Sequence, residues 1–212
     1  KRWSRCTVSS ASLSPPSPMT RPSVSSTPFT QRTLSTATGA SVTENRTVEN
    51  MERIFKAAKE RGYDVFISPH YFFPTDKGWK FNGPLETDEA RGDVFQRSGQ
   101  LTLEGFKNSG ADWLDRFKLY IDDGKTVVAS PHKVFGPQTN DLVLQLRKRG
   151  ISRIILGGML ANMCVESHLR ELLEQGFEVA VVKDAVAGPR HSRTFASTRI
   201  WICQLVHIKC AV

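Results

Sequence analysis

Apolar and polar positions along the middle of the chain predict strands and helices in alternation. Apolar runs of strand length lie at residues 63–68, 126–130, 153–156 and 178–182. Helices are predicted from apolar residues at helical spacing and from capping residues at 47–61, 112–116, 139–148 and 163–175. Strands that alternate with helices form a parallel sheet with right-handed crossovers. We therefore predict an α/β domain of three layers, α/β/α, built on a parallel sheet.

The rest of the chain departs from this pattern in three places. Residues 69–100 contain prolines and glycines among aromatic residues, which indicates a long, partly irregular excursion of the kind that often carries binding function. Residues 1–40 are rich in Ser, Thr, Pro and Arg, and we expect a disordered leader there. Residues 192–212 form an off-pattern C-terminal tail. The predicted domain is therefore residues 41–191.

Positive charge is concentrated at the two ends of the chain. The net charge is +8, and residues 1–40 and 185–212 hold five and four Lys or Arg residues with no Asp or Glu. The middle is close to neutral, so we predict no nucleic-acid binding by the domain.

No apolar run approaches the roughly 18–20 residues that cross a bilayer, so we expect no membrane span. We expect a cytoplasmic protein or, because an acid-free leader rich in Arg and Ser is typical of a transit peptide, an organellar one.

The cysteines show no pattern of a disulfide framework or a metal site. The four are Cys6, Cys164, Cys203 and Cys210, and none has metal-ligand spacing with the histidines. A disulfide framework is also unusual in a chain of this length, which suits a reducing compartment. From spacing we therefore predict neither a metal nor another cofactor.

Two loops that follow predicted strands carry reactive side chains. Ligands of an open parallel sheet bind beyond the carboxyl ends of its strands, and there Lys133 follows 126–130 and Cys164 follows 153–156. If those strands are neighbours, both side chains face one cleft within salt-bridge distance. The helix dipole and the ammonium would favour the Cys164 thiolate, and nearby N–H groups suit an oxyanion. The alternatives are a buried, inert Cys164 and a solvated Lys133.

The segment around Cys164 resembles a known enzyme family. The run GGMLANMCVESHLRELLEQGFEVAVVKDAVAGPRH, residues 157–191, is similar to the central signature of isochorismatase-like cysteine hydrolases, relatives of nicotinamidase and N-carbamoylsarcosine amidohydrolase. The preceding run SPHKVFGPQTNDLVLQLRKRGISRIIL resembles the same family, and the likeness covers roughly residues 41–191. It implies a six-stranded parallel sheet and a triad of Cys, Lys and Asp, with Cys164 as nucleophile and Lys133 as the lysine.

The resemblance also implies a particular turn and reveals two departures. The Met159–Leu160 peptide bond would be cis, and the N–H groups of Leu160 and Cys164 would form the oxyanion hole. The family's Asp lies at the end of the first strand, whereas no Asp or Glu precedes Glu44 here and no such strand is evident. The final helix pattern is also missing after residue 191. We therefore predict a sheet without its first strand and a fold without its final helix.

Several side chains of the excursion and its neighbours are further candidates. His70 follows a predicted strand and is either a substrate contact or a structural histidine. Pocket-lining candidates, which as aromatic residues are alternatively core, are Tyr71, Phe72, Trp79 and Phe135. The nicotinamidase-like metal pattern of an Asp and two nearby histidines is absent. We interpret His132 and His168 as structural or exposed.

These features predict hydrolysis of a C–N bond in a small amide, ureido or carbamoyl compound through a thioester on Cys164. Family members that cleave isochorismate do not use this cysteine, which argues against that substrate. The alternative is a catalytically impaired remnant that binds a ligand or partner through the same cleft. The partners we expect are a small-molecule substrate and further copies of the chain in a homo-oligomer.

Overall fold

A computed structural model describes residues 22–27, 42, 43, 46–92 and 103–188. Its strands are β1 (Pro22–Thr27), β2 (Asp64–Ile67), β3 (Val127–Val128), β4 (Arg153–Met159) and β5 (Glu178–Ala187). Its α-helices are α1 (Thr47–Glu60), α2 (Pro84–Arg91), α3 (Leu103–Phe106), α4 (Asp115–Ile121), α5 (Leu142–Lys148) and α6 (Cys164–Glu174), with a 3₁₀ helix at Pro74–Gly78. From α1 to β5, most elements lie where the hydrophobic pattern predicts them.

All five strands are parallel, in the order β3-β2-β1-β4-β5. Such a sheet is buried on both faces, and two separate apolar clusters cover it. One cluster joins the sheet to α1 and α4 and includes Val24, Met51, Phe55, Val65 and Phe117. The other joins it to α5 and α6 and includes Phe66, Leu142, Leu146, Leu156 and Leu172. The predicted three-layer α/β/α architecture is confirmed.

No helix among the described residues has the length and apolar character needed to cross a membrane.

The strand at the centre of the sheet is one that the sequence pattern did not predict. Within β1, Val24 pairs with Val65 on one side and Ile155 on the other. The prediction of a disordered leader is therefore wrong for residues 22–27, and so is the prediction of a sheet without a first strand. Val24 is the only aliphatic residue of this segment, so alternation gives no signal. The rest of residues 1–40, residues 192–212 and the predicted loss of the final helix lie outside the described residues.

The centre of the sheet contains buried hydroxyl groups that make no hydrogen bond to any described residue. Ser23 and Ser25 are fully buried, and neither Oγ has a hydrogen-bond partner among the residues that the structure describes. Because an unsatisfied buried hydroxyl costs about 1–3 kcal/mol, we expect Ser25→Ala to stabilise the protein by about 1 kcal/mol in urea unfolding.

Ser68→Ala is the matched control for that substitution. Ser68 is equally buried, but its Oγ accepts a hydrogen bond from Asn140 Nδ2 (2.8 Å) and lies 2.7 Å from His168 Nε2. Its loss should therefore destabilise the protein. If both substitutions lower the urea midpoint, the hydroxyl in β1 is not a destabilising group.

Candidate active site

Three loops meet at the carboxyl edge of the sheet. They follow β2, β3 and β4 and carry His70, His132 and Cys164 respectively. Backbone hydrogen bonds hold the first two together beyond the strands: His132 N–H donates to the Pro69 carbonyl (2.9 Å), and His70 and His132 form a parallel bridge. The loops after β2 and β3 follow neighbouring strands, whereas β1 separates β2 from β4, so the strands before Lys133 and Cys164 are not neighbours, contrary to the expectation from the sequence. All three loops lie at the carboxyl edge of the parallel sheet, where ligands bind.

The turn between β4 and α6 places Cys164 at the first residue of a helix. The Met159–Leu160 peptide bond is cis. The Leu160 carbonyl then accepts hydrogen bonds from the N–H groups of Met163 and Val165, both at 3.1 Å. The Cys164 side chain is 5% exposed, and its Sγ donates to the Val134 carbonyl at 3.3 Å. The thiol is therefore held in a fixed, buried position.

Burial controls the ionisation of this thiol. It raises the pKa of Cys164 to about 12, although backbone hydrogen bonds from Leu160 and Cys164 lower the pKa, and the charge of Glu89 raises it. The expectation of a favoured thiolate is therefore wrong, because loss of hydration outweighs the N–H groups at the helix start. Near neutral pH the sulfur carries a proton, which a neighbouring group must accept before the sulfur can attack.

Two buried histidines lie beside Cys164. One ligand atom from each of His70, His132 and Cys164 lies within 4.8 Å of the others, and the two imidazole rings stack with centroids 5.0 Å apart. Burial lowers the pKa of His70 to about 3 and that of His132 well below its ordinary value, so both rings are neutral. His132 is fully buried and not exposed. Its position directly before Lys133, in a loop that follows a strand, is the sequence signal that makes it a candidate for the site.

Lys133 faces the irregular excursion. Its Nζ lies 2.5 Å from Asp76 Oδ2 and 4.3 Å from the centroid of the Phe73 ring. In the part of the chain that the structure describes, no hydrogen bond joins Lys133 to Cys164. The catalytic role of Lys133 and its closeness to the sulfur stay predictions. Asp76 was missed because it lies in a Pro- and Gly-containing segment without periodicity.

A second carboxyl group of the excursion reaches the same cluster. Glu89, in α2, has its Oε2 3.6 Å from His70 Nε2. Burial, together with the negative charges of Glu86 and Asp88, raises the pKa of Glu89 to about 8. Near neutral pH this carboxyl group is therefore mostly protonated, because loss of hydration favours the neutral form of a carboxyl group.

The predicted aromatic residues lie in different surroundings within the part of the chain that the structure describes. Phe72 and Trp79 border a cleft of about 470 Å³, together with Asp76. Tyr71 instead packs against Phe73 and Phe106. Phe135 is 47% exposed and borders a different cleft. The excursion therefore contributes aromatic residues to a cleft, and the role of the aromatic candidates in contacting a substrate stays a prediction.

His168 has a structural role close to the nucleophile. It is fully buried, with its Nδ1 2.6 Å from the Cys164 carbonyl and its Nε2 2.7 Å from Ser68 Oγ. The carbonyl only accepts, so Nδ1 carries the proton and Nε2 accepts from the Ser68 hydroxyl. The first turn of α6 is thereby fastened to the loop after β2.

The turn around Cys164 and the five-stranded sheet can be compared with known proteins. The family model described as "Isochorismatase domain" matches residues 29–201. The chain belongs to the isochorismatase family. The match extends beyond the 41–191 resemblance at both ends.

Individual relatives agree with this assignment. The uncharacterized isochorismatase family protein YwoC of Bacillus subtilis (strain 168) is 36% identical over 80 residues, which cover 36% of this chain and 41% of that protein. The matched stretch thus spans well under two thirds of this relative.

Solved structures share the fold at low sequence identity. N-carbamoylsarcosine amidase from Thermoplasma acidophilum superposes with a TM-score of 0.57 at 18% identity, covering 85% of this chain and 92% of that chain. Pyrazinamidase/nicotinamidase from Streptococcus mutans UA159 gives 0.61 at 18% identity, with 86% and 97% coverage. The YcaC gene product of Escherichia coli, described as an octameric hydrolase of unknown specificity, gives 0.56 at 16% identity, with 87% and 72% coverage.

Proposed function

We propose that this chain is a cysteine hydrolase that cleaves a C–N bond in a small amide, ureido or carbamoyl compound. The observation that carries the proposal is the placement of Cys164 at the start of α6, where the backbone N–H groups of Leu160 and Cys164 lower the pKa of its thiol. The same two N–H groups suit the oxyanion of a tetrahedral intermediate. Two solved structures with this fold are amidases, which supports C–N rather than ether cleavage.

The proposed reaction begins with transfer of the Cys164 thiol proton to a ring nitrogen of His132. The sulfur then bonds to the substrate carbonyl carbon, and the Leu160 and Cys164 N–H groups stabilise the oxyanion. The C–N bond breaks as the imidazolium returns its proton to the amine, which leaves a thioester on Cys164. Water, deprotonated by the same ring, then attacks the thioester, the C–S bond breaks, and the sulfur takes back a proton.

Lys133 lies at the border of the site, and its proposed catalytic role is to orient the substrate. Its ammonium is paired with Asp76 and surrounded by Phe72, Phe73 and Trp79, so it can present a positive charge to a substrate in the aromatic cleft. In this proposal Lys133 orients the substrate while His132 moves the thiol proton.

The test is detection of an acyl group on Cys164. We use the full chain with Cys6, Cys203 and Cys210 replaced by Ser, so that Cys164 is the single thiol, and supply a panel of amides, ureas and carbamoyl compounds. Acid quenching followed by mass spectrometry should show the acyl mass on the peptide that contains Cys164. A folded protein that binds one of these compounds but yields neither product nor adduct would instead support the non-catalytic alternative.

We also propose that the chain forms a homo-oligomer, which the octameric assembly stated for the YcaC relative supports. Analytical ultracentrifugation at several protein concentrations tests this, and a sedimenting species of 23.7 kDa alone would contradict it.

A further inference from the structure

The groups around Cys164 also form a ligand set for a metal ion. One ligand atom from each of His70, His132 and Cys164 lies within 4.8 Å of the others, and the three side chains are 5%, 0% and 5% exposed. In a tetrahedral zinc site the bond lengths of about 2.0–2.3 Å place ligand atoms roughly 3.5 Å apart. Side-chain adjustments alone would therefore close the three atoms around an ion.

An independent observation at His132 indicates a missing ligand. Neither ring nitrogen of His132 has a hydrogen-bond partner among the described residues, although the side chain is fully buried. Buried polar atoms are nearly always satisfied, and each one that is not requires an explanation. An ion between His132 and Cys164 would bind one of these nitrogens.

His70 is already oriented as a ligand should be. Its ring makes a hydrogen bond to the backbone of Lys133. Metal-bound histidines commonly use one ring nitrogen in this way, which fixes the ring while the other nitrogen binds the ion. The carboxyl group of Glu89 lies 3.6 Å from His70 Nε2 and stands next to the cluster.

We propose that His70, His132 and Cys164 bind a zinc ion that blocks the nucleophile. One thiolate and two imidazoles are the nitrogen and sulfur donors that zinc prefers, whereas magnesium and calcium require oxygen ligands. On binding, the thiol releases its proton to solvent and the sulfur gives a lone pair to the ion. The sulfur is then unavailable to a substrate carbonyl. The inhibition, but not the binding, rests on the hydrolase function proposed above.

The first measurement uses the same single-thiol protein after treatment with EDTA and its removal. Titration with cobalt(II), a spectroscopic substitute for zinc, should produce a thiolate-to-cobalt charge-transfer band that saturates at one equivalent. Zinc at about 100 times its Kd should slow alkylation of Cys164 by iodoacetamide about 100-fold, because only the metal-free fraction reacts. EDTA should restore the rate.

His132→Gln and His70→Gln should each abolish the cobalt band and the protection by zinc. His168→Gln is the matched control, because this buried ring lies 5.2 Å from that of His132 but is engaged by Ser68 and the Cys164 carbonyl. It should keep both signals. The measurements on the single-thiol protein decide the matter even if a histidine variant does not fold.

Absence of the band together with unchanged alkylation overturns the zinc site. Binding that persists in folded His132→Gln and His70→Gln proteins overturns it as well, since the ion would then be held elsewhere. The two proposals fail separately. Zinc protection without amide turnover in EDTA contradicts the hydrolase, whereas turnover in EDTA that zinc leaves unchanged contradicts the inhibitory site.

Discussion

Replacing Cys164 by alanine is expected to reduce kcat/KM for an amide substrate by about 10⁴-fold or more, because removal of a nucleophile abolishes the covalent route altogether. The oxyanion donors are backbone groups and remain in the variant. Substrate should therefore still bind while turnover ends. Steady-state kinetics with the best compound of the panel, and a binding titration with the same compound, measure the two effects.

The controls for this prediction separate chemistry from folding. Cysteine packs as a small apolar residue, so the free energy of unfolding of the alanine variant, measured in urea, should stay within about 1 kcal/mol of that of the unmodified protein. The protein in which Cys6, Cys203 and Cys210 are Ser should keep full activity. Turnover by folded Cys164→Ala within tenfold of the unmodified rate would disprove the thioester route.

The sequence predicts α1, α5, α6 and the strands β2 to β5 because their signals are local, whereas α2 and α3 are not predicted. A long apolar stripe marks 47–61 and 163–175, and the observed helices are Thr47–Glu60 and Cys164–Glu174. The strand Pro22–Thr27 has no such signal, since it is mostly serine and threonine. Its place between two apolar strands depends on backbone pairing with residues far along the chain, and no local pattern reports that pairing.

The sequence predicts only the part of the candidate site that is built from contiguous residues. The signature around Cys164 identifies the turn, because the residues that build it are contiguous in sequence. His70, His132 and Glu89 come from three separate segments and meet only because β2 and β3 are neighbours and α2 folds over their ends. The Cys164 thiol is buried only because these distant segments pack around it, so the residues next to Cys164 in sequence do not predict its raised pKa.

The presence of β1 shows which feature of the family's catalytic triad this chain lacks. The family resemblance implies an acid at the end of the first strand, and β1 occupies that central place without any Asp or Glu. Its last residue, Thr27, pairs with Gly158, directly before the Met159–Leu160 bond. A carboxylate is therefore missing, rather than a strand. We predict slow turnover by the unmodified chain, limited by proton transfer at the thiol and the leaving amine.

A carboxylate introduced at the end of β1 should raise the kcat of this chain by about 10²- to 10⁴-fold, the usual contribution of a positioned general acid or base. Because successive residues of a strand are placed on opposite faces, both of the last two positions of β1 are tested, as Thr27→Asp and Ser26→Asp. The gain should disappear when either is combined with Cys164→Ala, because the new acid assists the same nucleophile. Rapid turnover by the unmodified chain, or two folded Asp variants without any gain, would show that proton transfer through His132 is already fast enough without a carboxylate, and would contradict this prediction.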